Sequence, residues 1–124
     1  MAEAEAAVPR RLADVRELTG GAPGSGGALW RLAEPGRQLD ANVVHLPPGR
    51  QVEPHAEPDL DVLFLVVAGT GALDADSGTE ELAEGALLWL PHGSRRALRA
   101  GPDGLSYLTV HRRRPGLTIK PRPN

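Results

Sequence analysis

Three side chains capable of metal binding or acid-base chemistry stand close together in the middle of the chain. His55, Glu57 and Asp61 occupy positions i, i+2 and i+6, directly before the apolar run 62–68. In an extended segment, positions of equal parity project to the same face. We therefore expect the imidazole and the two carboxylates to converge at the start of a strand, where they could hold a divalent cation or orient a polar ligand.

A wider pattern of glycines surrounds these three residues. Gly49 precedes His55 with five residues between them, and Gly69 follows Asp61 after seven. This spacing resembles the first motif of the cupin family, in which Gly, five residues, His-x-His, three or four residues, Glu, six residues and Gly follow one another. Glu57 stands at the second His position and Asp61 at the Glu position. The resemblance therefore implies a variant of the family's metal site.

The second motif of the same family matches at its Gly and Pro positions but not at its metal-ligand position. Gly85 is followed after five residues by Pro91, as the family pattern requires. Arg96 stands where the family has its remaining histidine, and Ala100 stands where it has an asparagine. The two motifs together cover residues 49–100. The chain is thus identified as a small single-domain cupin with a degenerate metal site, which implies an all-β jelly-roll barrel, or double-stranded β-helix.

The arginine in the second motif decides which chemistry is favoured. Two-residue alternation groups Arg96 with the apolar residues Leu98 and Ala100, so its guanidinium is expected to point into the barrel. A buried guanidinium is costly unless it is paired, and the carboxylates expected nearby are those of Glu57 and Asp61. The favoured interpretation is an arginine-carboxylate cluster that needs no cofactor.

A metal site is the alternative interpretation. His55, Glu57 and Asp61 would form a facial set of three ligands for one divalent ion, and Fe, Mn, Ni or Zn would all suit such nitrogen and oxygen ligands. A fixed cation at Arg96 would oppose a second cation close by. Two function classes stay open: a pocket that binds a small polar or anionic molecule, and a metal-dependent enzyme of the dioxygenase, isomerase or epimerase type.

Two further residues are candidates for the polar part of the cavity. Tyr107 and His111 share the parity of one strand with Thr109. They could line the pocket, although an exposed strip at the end of the last strand fits the alternation equally well. The expected ligand-binding set is His55, Glu57, Asp61, Arg96, Tyr107 and His111.

The elements that must position these residues follow from hydrophobic periodicity. Leu12, Val15 and Leu18 have helical spacing and predict one short helix. From residue 29 onward, short runs of two-residue period alternate with Gly and Pro turns, which is typical of an antiparallel barrel. The eight predicted strands are 29–33, 38–46, 60–68, 71–75, 78–82, 86–90, 95–100 and 105–112.

The chain is expected to divide into three regions and to assemble with a second copy. The regions are a helix with a glycine-rich connector (1–28), the barrel (29–112) and a Pro/Arg-rich tail (113–124). The prolines of the tail exclude interior strand pairing, so the tail runs along the surface or crosses to a partner. The strand at 60–68 is apolar on both faces, which favours burial of its outer face in a homodimer.

Composition narrows the partners and the compartment. The 124 residues fit one domain, and the lack of cysteine excludes disulfides, thiolate metal sites and cysteine nucleophiles. A formal net charge of -2 gives no general attraction to nucleic acid or membrane. The basic run 112–114 is short and reads as a solvated strand end. Because the N-terminus does not resemble a signal peptide, we expect a cytoplasmic protein.

Overall fold

The structure, a computed structural model, describes residues 7–21 and 24–114. Within those residues it contains one short helix and seven antiparallel strands, so the predicted all-β class is confirmed. No helix in these ranges is long and apolar enough to cross a membrane. The elements are α1 (Val15–Gly20), β1 (Gly27–Arg31), β2 (Leu39–Leu46), β3 (Gln51–Ala56), β4 (Val62–Ala75), β5 (Gly78–Ala83), β6 (Leu87–Leu90) and β7 (Arg95–Arg112).

Two long strands, β4 and β7, organise everything else. They are 14 and 18 residues long and pair with each other along most of their length. The first half of β4 and the second half of β7 belong to a first sheet with the order β1-β2-β7-β4-β6. Their other halves belong to a second sheet with the order β3-β7-β4-β5. Each long strand therefore contributes side chains to both sheets.

The hydrophobic core lies between the two sheets. Val62, Phe64 and Val66 of β4 face it from the first sheet, while Leu73 and Leu98 face it from the second. Phe64 and Val66 are at most 2% exposed. This alternation of buried and outward residues is what a half-buried strand requires, and it aims the inward side chains of both sheets at one common space.

The long strands pass from one sheet to the other at a glycine-rich bend. The register shifts between Gly69 and Gly71, so that residues 101–104 of β7 lie opposite Thr70 of β4. Gly69 has a φ of 80°, and a Cβ at this position would overlap the backbone oxygen of Gly104. Only glycine combines this left-handed conformation with so close a backbone approach.

This bend explains why the predicted strand count is wrong. The sequence predicts a break between 60–68 and 71–75 and another between 95–100 and 105–112. In the structure each break is instead a bulge inside one long strand, because the ladder of hydrogen bonds resumes on the far side of the bend. The glycine and proline signals were placed correctly, and they mark bends within strands rather than ends of strands.

One strand was missing from the prediction. β3 pairs with β7 in the described part of the chain and is mostly exposed, with a register shift between Val52 and His55. The shift lies around Pro54, which cannot donate to a ladder and is tolerated at the edge of a sheet. The polar, proline-containing sequence of this segment therefore did not predict the edge strand that it forms. The strand carries His55 to the cavity.

The helix is displaced from its predicted position. α1 begins at Val15 rather than near Leu12, because the Asp14 side chain accepts hydrogen bonds from the backbone N–H groups of Arg16 and Glu17. The division into three regions stays a prediction. Residues 22–23 of the connector and 115–124 of the tail lie outside the described residues.

Substitution of the glycine at the bend should cost far more stability than substitution of an unobstructed glycine. Gly69→Ala adds a Cβ that collides with backbone, and we expect it to lower the free energy of unfolding by about 3 kcal/mol or to prevent folding. Gly85→Ala is the matched control, because Gly85 also has a positive φ (93°) but nothing within 4 Å of its Cβ position. It should cost about 1 kcal/mol. Equal losses in chemical denaturation would contradict the proposed role of the bend.

Candidate ligand pocket

A cavity of about 310 Å³ lies between the two sheets. Its volume is within the range of small-molecule sites. Its apolar wall is formed by Val52, Val62, Phe64, Leu73, Leu90 and Leu98. Five of the six predicted site residues also line it, and these are His55, Glu57, Arg96, Tyr107 and His111. The structure therefore brings together residues that lie more than fifty positions apart in the chain.

Arg96 is the charged side chain buried in this region, with 7% of its surface exposed. It lies on β7 directly opposite His55 of β3, and it also borders a neighbouring groove of about 540 Å³. Its Nη1 donates to the backbone oxygen of Ser94 (3.1 Å) and weakly to the Ser94 hydroxyl (3.5 Å). Burial lowers the pKa of Arg96, and the charge of Glu57 partly offsets this effect.

The remaining donors of Arg96 are unused. Its Nε and Nη2 make no hydrogen bond to any of the described residues, and no ion pair within 4.0 Å joins it to a carboxylate in those ranges. Neither nitrogen is sealed from solvent, because no fully buried polar side-chain atom there lacks a partner. The predicted pairing with Glu57 and Asp61 is thus not made, and the guanidinium keeps donors open to the space it borders.

Glu57 is paired with a different arginine. Its Oε1 lies 2.5 Å from Nη2 of Arg114, and its Oε2 accepts a hydrogen bond from the backbone N–H of Asp59 (3.1 Å). The Asp59 N–H, the Arg114 side chain and the charge of Arg96 hold the pKa of Glu57 below its ordinary value. The carboxylate is therefore ionised at neutral pH and has both oxygens engaged.

Asp61 lies apart from the cavity lining. Its Oδ1 accepts hydrogen bonds from the backbone N–H and the ring Nδ1 of His92, both at 2.8 Å. His55 and Glu57 therefore lack the third partner that the sequence predicted. Within residues 7–21 and 24–114 no three His, Asp or Glu side chains come together as potential metal ligands. This arrangement does not fit the predicted three-ligand metal site, because the Asp61 carboxylate is engaged with His92. In addition, Arg96 stands where the resembled family has its remaining histidine.

Tyr107 and His111 line the cavity, which is one of the two orientations that the sequence alternation allowed. The Tyr107 ring stacks on Phe64 with centroids 4.5 Å apart. Burial raises the pKa of Tyr107 to about 12, so its phenol stays neutral and can donate a hydrogen bond. His111 Nδ1 donates to the backbone oxygen of Arg112 at 2.7 Å, which leaves Nε2 as the acceptor of the neutral ring. Thr109, on the same face, lines the cavity between them.

Two cavity residues were missed by the sequence analysis. Asn42 lines the cavity from β2, and Arg114 lines it just beyond the end of β7. The backbone N–H of Arg114 donates to the Asp40 carboxylate (3.1 Å), which holds this residue against the first sheet. The basic run 112–114 was the available signal. Of this run, Arg114 lines the cavity, because the strand that precedes it runs directly beside the cavity.

Comparisons with known proteins identify the fold. No protein-family model and no curated protein matches the chain. A Klebsiella pneumoniae protein with a double-stranded β-helix domain superposes with a TM-score of 0.67 and 19% identity, over 84% of this chain and 90% of that one. A Bacteroides fragilis cupin protein gives 0.57 and 21%, over 68% and 74%.

A third solved structure has an enzymatic name. It is a sugar phosphate isomerase of the cupin superfamily from Silicibacter pomeroyi, with a TM-score of 0.56 and 23% identity. The match covers 64% of this chain and 53% of the isomerase. At these identities the likeness concerns the fold alone. The predicted jelly-roll of the double-stranded β-helix type is therefore confirmed, and the chemistry has to be argued from the side chains.

The Asp61–His92 contact should make a pH-dependent contribution to stability. Hydrogen bonds from the backbone and then the ring of His92 hold the pKa of Asp61 below its ordinary value of 3.8. The contribution of the ionised form is therefore present above about pH 4 and is lost as the pH falls through the lower pKa of the folded protein. Asp61→Asn should be less stable than wild type at neutral pH and should converge with it in acid.

Chemical denaturation at a series of pH values measures this difference. Asp76→Asn is the control, because Asp76 is exposed in the β4–β5 hairpin. Its stability should follow that of wild type at every pH. A difference between Asp61→Asn and wild type that persists undiminished in acid would show that the carboxylate charge is not what stabilises the contact.

Proposed function

We propose that this chain, a small cupin domain by its fold, binds a small anionic molecule in the cavity through the guanidinium of Arg96. The observation that supports this most directly is a buried arginine with unused donors beside a cavity of about 310 Å³. Binding, rather than catalysis, is the function that this arrangement favours. An anion would supply the partner that residues 7–21 and 24–114 do not provide.

The electrostatics of the pocket support an anionic ligand. Arg96 is largely removed from water, and a charge in such surroundings interacts more strongly with a partner than it would at the surface. A carboxylate or phosphate could accept two parallel hydrogen bonds from the planar guanidinium. Tyr107 and Thr109 add neutral hydroxyl groups in the same cavity. These groups can orient a ligand without contributing charge.

Arg96→Met should strongly weaken anion binding while preserving the fold. Methionine retains much of the packing volume and removes both the charge and the donors. Acetate and inorganic phosphate, titrated into isotope-labelled protein, should shift the NMR signals of Tyr107 and Thr109 in wild type. In the variant, affinity should fall by roughly tenfold to a hundredfold, which corresponds to the loss of charge-assisted hydrogen bonds.

Arg95→Met is the matched control, because Arg95 is the exposed neighbour on β7 and does not line this cavity. It should bind as wild type does. Unchanged binding in Arg96→Met, or anions that shift no cavity residue in wild type, would contradict the proposal. Near-stoichiometric Fe, Mn, Ni or Zn that is lost in His55→Ala would instead support the alternative, a metal-dependent enzyme in which Asp61 moves to join His55 and Glu57.

We also propose that the chain forms a homodimer through the outer face of the first sheet. Leu63 and Trp89 are cross-strand partners on that face and are 45% and 59% exposed, and Leu87 on the same strand is 65% exposed. Large apolar side chains grouped in this way are typical of interaction surfaces. The inward faces of β4 and β6 are already occupied by the core, so these outward residues need a different partner.

Light scattering at roughly tens of micromolar protein should therefore give the mass of a dimer. Trp89→Lys should give a monomer, because a charge at the centre of an apolar interface loses its hydration without gaining a partner. Val8→Lys is the control, since Val8 is also an exposed apolar residue (62%) and lies outside the sheet. A monomeric wild type would contradict the proposal.

A further inference from the structure

The charges that line the cavity do not all remain available to a ligand. The residues with permanent charges are Arg96, Arg114 and Glu57. Arg114 and Glu57 neutralise each other across 2.5 Å. With the imidazoles of His55 and His111 counted as neutral, one positive charge is left over, and it belongs to Arg96. A ligand with one negative charge would balance the cavity, and a second negative charge would have no cation of its own.

One side of the cavity next to Arg96 is apolar. Leu98 follows it on the same face of β7, and its neighbours across the two flanking ladders are Val52 of β3 and Leu73 of β4. Leu90 of β6 approaches from the opposite sheet and lines the same cavity. A ligand whose charged end reaches Arg96 can therefore place an apolar body against these aliphatic side chains.

We infer that the ligand is a small monocarboxylate with an apolar body, and that Glu57 selects it over dianions. This inference rests on the proposed function, because it names the class of anion that Arg96 would bind. A carboxylate matches the fork of donors on a guanidinium. The apolar body would gain about 25 cal/mol for each Å² of surface removed from water against the aliphatic wall.

Glu57 acts on specificity in two ways. It occupies Arg114, so this second guanidinium cannot bind the second charge of a phosphate ester. It also places a negative charge beside Arg96, close enough to affect the ionisation of that arginine. Both effects penalise a dianion more than a monoanion. Tyr107 stays neutral in this pocket and so does not alter the balance of charge.

Calorimetric titration with phenylacetate and phenyl phosphate tests the inference. At about pH 8 an ordinary imidazole is neutral and a phosphate monoester is a dianion. Wild type should bind phenylacetate at least about tenfold more tightly than phenyl phosphate, and more tightly than acetate. Glu57→Gln keeps the shape of the side chain and releases Arg114. It should bind phenyl phosphate more tightly than wild type does, which shifts the affinity ratio toward phosphate by about fivefold or more.

Two further variants separate charge from disturbance of the fold. Glu53→Gln makes the same chemical change at an exposed position of β3 that does not line the cavity, and its affinity ratio should equal that of wild type. Arg114→Met removes the second cation at a largely exposed side chain. It should weaken both ligands and keep the preference for phenylacetate. Melting temperatures identify any variant that is not folded.

The outcomes distinguish this inference from the proposed function. Phenyl phosphate that binds wild type as tightly as phenylacetate, or a ratio unchanged in folded Glu57→Gln, would overturn the role of Glu57 and leave anion binding at Arg96 in place. If acetate binds as tightly as phenylacetate, the inference that the ligand has an apolar body would be overturned. Failure of every anion to bind wild type would overturn the proposed function itself.

Discussion

The pairing of β4 with β7 is the constraint on which the rest of the structure depends. Because each strand continues through the bend, one continuous ladder connects the two sheets and holds them face to face. The bend requires Gly69, since a side chain there would collide with Gly104. Arg96 and Tyr107 therefore lie on the same strand but in different sheets, and their side chains line the cavity from opposite sides.

A buried arginine that pairs with no carboxylate of the described residues is an unusual arrangement in a small domain. Removing a guanidinium from water is costly, and the two acceptors on Ser94 recover only part of the lost hydration. The folded chain tolerates this cost because the cavity leaves the other donors partly open. A position that in the resembled family holds a metal ligand is here occupied by a fixed cation. The same location between the sheets can therefore attract negative charge with no metal bound.

The end of β7 and the two residues after it make several contacts with other parts of the structure. Arg112 donates to the backbone oxygen of Asp59, and the N–H of Arg113 donates to the backbone oxygen of Gln38. Together with the Arg114–Glu57 pair, these contacts connect the last strand to the loop after β3 and to the start of β2. Arg114, the last residue of the basic run 112–114, thus takes part in the charge balance of the pocket.

The sequence by itself determined the class of fold and identified five of the residues that line the pocket. Two-residue alternation placed Arg96 on an inward face, because the period of a strand is independent of what the strand packs against. For Tyr107 the alternation left an inward and an exposed orientation open, and the structure places it in the cavity lining. The spacing of glycine and proline located the bends, because these residues act on the local backbone conformation and not through distant contacts. Spacing also placed His55 and Glu57 on one side of a strand, and the structure brings both to the cavity.

Only the tertiary structure decided which charged groups pair. Glu57, Asp61 and Arg96 were expected to form one cluster, yet Glu57 pairs with Arg114 and Asp61 with His92. Parity gives the side of a strand on which a residue lies, but it says nothing of distances to residues on other strands. Ion pairs depend on those distances and on competition among several possible partners. The edge strand β3 was missed for a related reason, because its pairing with β7 comes from its neighbour rather than from its own polar sequence.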